Sequence, residues 1–308
     1  MSGLRVLRAG PLSLLQDAGR HGWQHLGVSP CGPVDIHAAA WANRLLGNRW
    51  GTPLLEIALG GVELEAQADT WLALTGAELP ATLDEVELPA WSRFAVRAGQ
   101  RLKLGFAAAG QRAYLAAAGG FQAEPVLGSV ASQRRDGLGG LQGDGRALAE
   151  GDLLPCASAV FQRAASVPWS YRPDYRKVPL LRVLPGTDEF SVEQRAAFFG
   201  QTWKISPQSD RMGVRLSGDP VAAPPRQWSL GVVSGAIQIP PSGQPIILLA
   251  DRQSMGGYPL LGVLHPLDLA RLAQCPAHGE VHFVTGSLER AQVEMREFYQ
   301  FFQRERSS

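Results

Sequence analysis

The chain of 308 residues is short of cysteine, of charge of one sign and of long apolar runs, and each shortage excludes a class of function. Cys31, Cys156 and Cys275 are odd in number, far apart and without CxxC spacing. Neither a disulfide framework nor a zinc site follows from them, and no metal is expected. With 29 basic and 28 acidic side chains the net charge is +1, and no Lys/Arg-rich run disturbs the balance. Such a chain has no field to draw a polyanion, so nucleic acid is not an expected partner. The start, MSGLRVLRAG, lacks the apolar core of a signal segment. No apolar stretch approaches the roughly 20 residues that a membrane span needs. A soluble, cytoplasmic chain with no membrane partner is expected.

Glycine and proline, by contrast, are plentiful: 35 Gly and 22 Pro fall between short apolar runs along the whole length. That spacing favours many strands and tight turns over long helices. Strands are expected at 71–74, 101–106, 112–117, 180–184, 237–239, 246–249 and 280–284. Four helices interrupt them. The segment 33–48 starts on Pro33 and ends near Gly47; 191–200 opens with a Ser191/Gln194 capping box; Pro266 starts a third. The fourth opens on Ser287 and carries Val293, Phe298, Phe301 and Phe302 near one face, which suits packing on a barrel. The chain exceeds the size of a typical single core. Residues 160–179 mix prolines, aromatics and charges without periodicity, so the expected plan is an N-terminal β-rich lobe (1–160), a linker (161–179) and a C-terminal β-rich lobe with its helix (180–308).

Polar residues collect in a few places. The segment GAIQIPPSGQPIILLADRQSMGGYP, Gly235–Pro259, sets Gln238, Asp251, Arg252, Gln253 and Tyr258 around the apolar run 246–249. A buried strand bounded by turn signals would deliver the Asp-Arg-Gln cluster at its end, where polar groups converge in a site. Asp251 and Arg252 capping a turn or pairing with each other is the bland alternative. A second concentration, 15–48, holds Asp17, Arg20, His21, His25, Asp35, His37 and Asn43 among four glycines. Glycine there permits close backbone approach to a ligand, while local capping by Asp17 and Asp35 is the plainer reading.

Other stretches fail the mechanical tests of known motifs. GSVAS at 128–132 is not a GxSxG nucleophile elbow. The run DGLGGLQGDGR, 136–146, has neither GxxxxGK[ST] nor GxGxxG spacing. Thr75 and Gly76 in LALTGAEL read as a turn, or as a hydroxyl and N–H offered to a ligand.

The ordered set DAGRHGWQHLGV, GPVDIHAAAWANRLLGN, ALTGA, YLAAAGGF with VLGS, SDRMGVRL and the Gly235–Pro259 segment resembles the biotin-dependent carboxyltransferase family. Its members include the second subunit of allophanate hydrolase and the C subunit of 5-oxoprolinase, and the resemblance runs from about residue 4 to about residue 290. It implies a mainly β fold with a few helices, in two lobes of cyclophilin-like β-barrel architecture. It also implies a hydrolase of a cyclic amide, a component of an ATP-dependent 5-oxoprolinase turning 5-oxo-L-proline into L-glutamate with the A and B subunits of that enzyme. Two other outcomes are a carboxyltransferase component of a biotin-dependent urea or small-amide carboxylase, and a non-enzymatic regulator that sequesters the B subunit.

Positions matching the family's motifs are Asp17, Arg20, Asp35, Asn43, Asp210, Arg211, Gln238, Asp251, Gln253 and Tyr258. Of these, Asp251, Arg211 and Asp210 are expected to be catalytic, as general base or polarising group, and the rest to bind substrate. The guanidinium fork of Arg211 or Arg20 matches two oxygens. ATP has no phosphate loop here and must be bound by the assembly. Biotin, under the alternative, must arrive on another polypeptide, because Lys103, Lys177 and Lys204 stand in no Met-Lys-Met motif.

Overall fold

A computed structural model describes residues 2–159 and 163–303. The described residues divide into two compact units, one built from 2–21, 31–159, 163–175 and 300–303 and the other from 22–30 and 176–299. Residues 161 and 162 of the expected linker, and 304–306 of the expected last helix, lie outside the described residues. The rest of the linker stretch holds the short strand Ala165–Ser166 and a 3-10 turn, Trp169–Tyr171.

The first unit is two six-stranded sheets. One has the order Leu153–Pro155, Gly3–Ala9, Gly60–Ala66, Arg101–Phe106, Ala81–Leu83, Val86–Glu87; the other Ala165–Ser166, Ser92–Val96, Thr70–Glu78, Ala109–Ala117, Leu54–Ala58, Leu12–Gln16. Alternation along the strands supplies the core: Leu4, Val6, Leu64, Leu102 and Leu104 from one sheet join Leu55, Ile57, Leu72, Leu74, Phe94 and Leu115 from the other in a single buried cluster. Strand Thr70–Glu78 is buried through Ala77, because helix α1 (Ile36–Leu45) packs on it and on Ala109–Ala117. Its Thr75 is neither in a turn nor open to a ligand. The hydroxyl donates to the Ala38 carbonyl at 2.7 Å inside the packed layer. Gly76 takes φ 88° beside a bulge, and a Cβ there would fall 2.4 Å from the Arg112 carbonyl oxygen, so only glycine fits.

The second unit is a closed barrel. Its strands run in the order Leu180–Pro185, Leu260–Leu264, Ala236–Gln238, Ile246–Leu248, Gly213–Ser217, Trp203–Ile205, Glu280–Thr285, and the first and last pair in parallel to close the ring. Ile237, Ile247, Leu249 and Leu261 are fully buried. A two-stranded ribbon, Leu230–Gly231 with Met255–Gly256, stands apart from the barrel sheet. The mainly β class holds, with four α-helices among the described residues.

The helices follow their local signals. α1 begins after Asp35 and not on Pro33, because the Asp35 carboxylate accepts from the Ala38 N–H at 2.9 Å and caps the first turn. α2 (Val192–Phe199) carries the full Ser191/Gln194 capping box. α3 (Pro266–Leu272) starts on its proline, with Nδ1 of His265 accepting from the Leu267 N–H at 3.1 Å. α4 (Leu288–Gln303) is amphipathic. Its Glu294 pairs with Arg182 in the barrel unit, and its Phe301 and Phe302 lie edge-on to Trp41 in the first unit.

Candidate functional site

Six of the ten expected site residues fall in the second unit. The apolar strand Ile246–Leu248 ends just before Asp251, whose N–H donates to the Arg211 carbonyl at 2.9 Å. Two side-chain bonds run the other way: Nε and Nη2 of Arg211 donate to Oδ2 and Oδ1 of Asp251 at 2.9 and 2.8 Å. Both residues are buried. The partner of Asp251 is therefore Arg211, and not its neighbour Arg252. Arg252 instead donates to the Val232 carbonyl and the Ser234 hydroxyl, while its own carbonyl accepts from Ser29. Asp210, next to Arg211, is exposed and folds back on its own turn, accepting from the N–H groups of Met212 and Gly213 at 2.8 and 3.2 Å.

Gln238 differs from all of these. It pairs across the sheet with Ile246 and Leu260, so the three share one face. That face carries a small apolar cluster of Val232, Ala236 and Leu248, with Ile246 and Leu260 against it. The ribbon lies over the cluster: a Cβ on Gly256 would fall 2.3 Å from Nε2 of Gln238 and 3.0 Å from Val232, so the Gly256 backbone rests on the amide. The Gln238 side chain is 1% exposed, and its Nε2 has no hydrogen-bond partner among the described residues. Leaving such a donor unpaired costs about 1–3 kcal/mol, a cost that a ligand acceptor would remove. Gln253 is half-buried at the far end of the same segment, and Tyr258 is 43% exposed beyond Gly257. The Tyr258 carbonyl accepts from Arg226, which is also paired with Asp188 at 2.9 Å.

The other four lie in the first unit, engaged mainly with the fold. Asp17 accepts from the Ser129 hydroxyl at 2.6 Å and from the N–H groups of Gly19 and Val130. Arg20 is fully buried and donates to the carbonyls of Val126, Ser129 and Ala131. Together they clamp the loop 126–131, which explains why the GSVAS stretch is ordered without being a nucleophile elbow. Asn43 donates to the Thr52 carbonyl and accepts from Asn48, tying the end of α1 to the strand end at Ala117. The cavity that Asp17 and Asn43 line measures about 10 Å³, room for one water and no organic ligand.

Asp35 belongs to a buried chain of hydrogen bonds. Its N–H donates to the Tyr114 hydroxyl, which donates to Glu56 at 2.8 Å, and its Oδ2 accepts from Tyr175 at 3.2 Å. Burial and the Glu56 and Asp35 charges push the Tyr114 phenol well above its ordinary range, so it stays protonated. Tyr175, absent from the expected set, joins this network. The Tyr175 contact spans 140 residues and has no local signal.

The glycine-rich run 136–146 turns its amides inward. The N–H groups of Leu138, Gly140, Gly143 and Gly145 donate to the carbonyls of Gln133, Val130, Gly140 and Gly139. These four N–H groups are thus spent on the loop's own carbonyls and are not turned toward a phosphate. Among the described residues no helix is long and apolar enough to cross a membrane.

Residues 26–285 match the family model described as carboxyltransferase domain, subdomain A and B. The chain belongs to the carboxyltransferase domain family. Within that family it is 38% identical to the C subunit of 5-oxoprolinase from Escherichia coli K12, over 97% of this chain and 96% of that protein. With the C subunit of 5-oxoprolinase from Haemophilus influenzae it shares 35% identity over 90% of this chain and 89% of the relative. The solved urea carboxylase of Kluyveromyces lactis superposes with a TM-score of 0.87 at 27% identity, covering 99% of this chain and 29% of that one. The urea amidolyase of Saccharomyces cerevisiae is 28% identical over 94% of this carboxyltransferase-domain chain and 17% of its own length. This chain thus spans under a third of either urea enzyme.

Proposed function

We propose that the chain is the C subunit of a cytoplasmic, ATP-dependent 5-oxoprolinase, hydrolysing 5-oxo-L-proline to L-glutamate together with the A and B subunits. The likeness to two 5-oxoprolinase C subunits, along nearly their whole length, supports the assembly. The observation that carries the chemistry is the buried, unpartnered Nε2 of Gln238 beneath Gly256. In the hydrolysis, water oxygen adds to the lactam carbonyl carbon, the ring C–N bond breaks, and the nitrogen leaves with a proton as the amine. The Gln238 N–H is suited to the lactam oxygen, on which negative charge grows as water adds. Gln253 and Tyr258 lie farther along the same segment, toward solvent, where a substrate carboxylate would enter. The Arg211–Asp251 pair fixes the strand end from which the segment departs, and Asp210 fixes the turn that carries Arg211. Asp17, Arg20 and Asn43 support the site through the order of their own unit. ATP drives an uphill ring opening and is bound by the assembly.

The likeness to the Kluyveromyces lactis enzyme favours one second reading, carboxyl transfer to a urea-like amide from biotin on another polypeptide. Reconstitution separates the two. ATP-dependent glutamate release is expected with the A and B subunits present and none with the chain alone. Release by the isolated chain would overturn the assembly reading. Urea-dependent bicarbonate fixation with a biotin carboxylase partner, and no glutamate release, would establish the second reading in its place.

A further inference from the structure

The barrel unit holds a cavity of about 230 Å³ for which the hydrolase reading has no use. Helix α2 forms one wall. Its Phe198 is fully buried, with the ring 4.9 Å from Phe283 and 5.6 Å from Trp203, and this anchor fixes which way the helix faces. Arg195 and Phe199, one turn apart on the adjoining stripe, are then carried over Val183, Leu184 and Leu261, all three buried. Leu261 also separates this cavity from Gln238. Its neighbour Leu260 shares the Gln238 face, and successive side chains of a strand point to opposite faces.

Arg195 is the charged residue of the lining. Its Nε donates to the Phe190 carbonyl at 3.3 Å, which ties the half-buried side chain to the residue before the Ser191 cap. Nη1 and Nη2 meet no acceptor, and the guanidinium enters no ion pair, among the described residues. The fork is thus held and unspent. Thr285 adds a hydroxyl at the exposed rim. The volume lies below the roughly 300–1,000 Å³ of sites for drug-sized ligands, which limits an occupant to about one small ring.

Water can solvate a guanidinium, but it gains nothing from Phe199 and Leu261. A ligand gains from both walls only when it joins an anionic fork to an apolar body. We infer that this cavity binds a small monocarboxylate with an apolar ring or branched chain, its two oxygens accepting from Nη1 and Nη2 of Arg195 and its body lying against Phe199, Val183, Leu184 and Leu261. The ligand class differs from the amide of the proposed reaction, and the site does not depend on that reaction.

The test titrates the full chain with benzoate by calorimetry, without ATP or partner polypeptides. Benzoate should bind at a single site. Benzyl alcohol, which keeps the ring and lacks the charge, and acetate, which keeps the charge and lacks the ring, should each bind at least about tenfold more weakly. So should 5-oxo-L-proline, whose lactam N–H and carbonyl would lie unpaired against the apolar wall. Arg195→Gln should weaken benzoate by about 10- to 100-fold, the scale of hydrogen bonds to a charged group, and Arg195→Lys, a charge without the fork, should recover only part of the loss. Ala196→Leu puts a larger side chain on the exposed lip of the cavity and should block benzoate with Arg195 still in place. No saturable binding of benzoate, equal affinity for benzyl alcohol or for 5-oxo-L-proline, or unchanged affinity in Arg195→Gln or Ala196→Leu would each overturn the site. If Arg195→Gln fails to fold, the wild-type probe series and Ala196→Leu still decide. Glutamate release by the reconstituted enzyme should survive both substitutions, so the two proposals fall separately.

Discussion

Arg211 grips both carboxylate oxygens of Asp251 in a buried two-pronged ion pair, with bonds of 2.9 and 2.8 Å. A third, backbone bond from the Asp251 N–H to the Arg211 carbonyl ties the same two residues together. A carboxylate so engaged acts as a strut, both of its oxygens being taken up by one buried guanidinium.

The first prediction follows from that geometry. Asp251→Asn keeps the shape and removes the charge, so it should lower stability by about 3 kcal/mol or more, the scale of breaking a buried pair from one side. Denaturant unfolding measures it. Undiminished stability with turnover lost would return Asp251 to chemistry.

Gly256→Ala tests the contact over Gln238. The new methyl would meet Nε2 at 2.3 Å, so either the ribbon or the amide must move. Turnover in the reconstituted enzyme should fall at least about tenfold, as for a lost substrate hydrogen bond, with a small change in melting temperature. Equal turnover in Gly256→Ala and wild type would remove Gln238 from the site.

What sequence could show here was local. The Ser191/Gln194 box and Pro266 start were legible because their partners lie within four residues, and strand Arg101–Phe106 because its alternation is unbroken. Thr75 misled because Thr-Gly resembles a turn, whereas the demand for Gly76 comes from the Arg112 carbonyl on the next strand. Asp17 looked like a ligand residue, and its bonds to Ser129 and Val130 lie 112 and 113 residues away. The Gly235–Pro259 segment drew notice by composition, but only packing distinguishes Gln238, left with an unmet donor, from Asp251, whose oxygens Arg211 occupies.

Acid should act through Asp152. Arg146 meets its two oxygens at 2.8 Å each and the Ala149 N–H adds a third bond. These hydrogen bonds, Arg146 first, hold the carboxyl below its ordinary 3.8 against the opposing effect of burial. A depressed folded value means that the stabilisation is complete above the unfolded pKa and is lost as pH falls through the folded one. Arg146 is 36% exposed, so screening limits the pair to about 1 kcal/mol. Urea unfolding should find Asp152→Asn weaker than wild type at pH 7, with the gap closing below pH 3.8. A gap that persists in acid would show a packing defect and not a lost charge.

His265 has the same sign in a higher window. Its Nδ1 accepts from the Leu267 N–H, so the neutral ring's proton sits on Nε2, which faces Glu294 at 3.3 Å with Arg182 and Asp268 alongside, and a second proton must enter at Nδ1 and displace the cap. Burial, and then the Arg182 charge, hold the ring below its ordinary 6.5, while Asp268 and Glu294 pull the other way. The unfolded chain therefore takes up the proton first. Stability contributed by the neutral ring is complete above pH 6.5 and drains as pH falls through the folded value. His265→Asn keeps an N-cap acceptor and removes the titration. Between pH 7 and 5 its melting temperature should fall less than that of wild type, with His37 supplying the residual slope in both. Identical slopes in the two proteins would show that the His265 ring titrates alike folded and unfolded, and would leave its place between α3 and α4 purely structural.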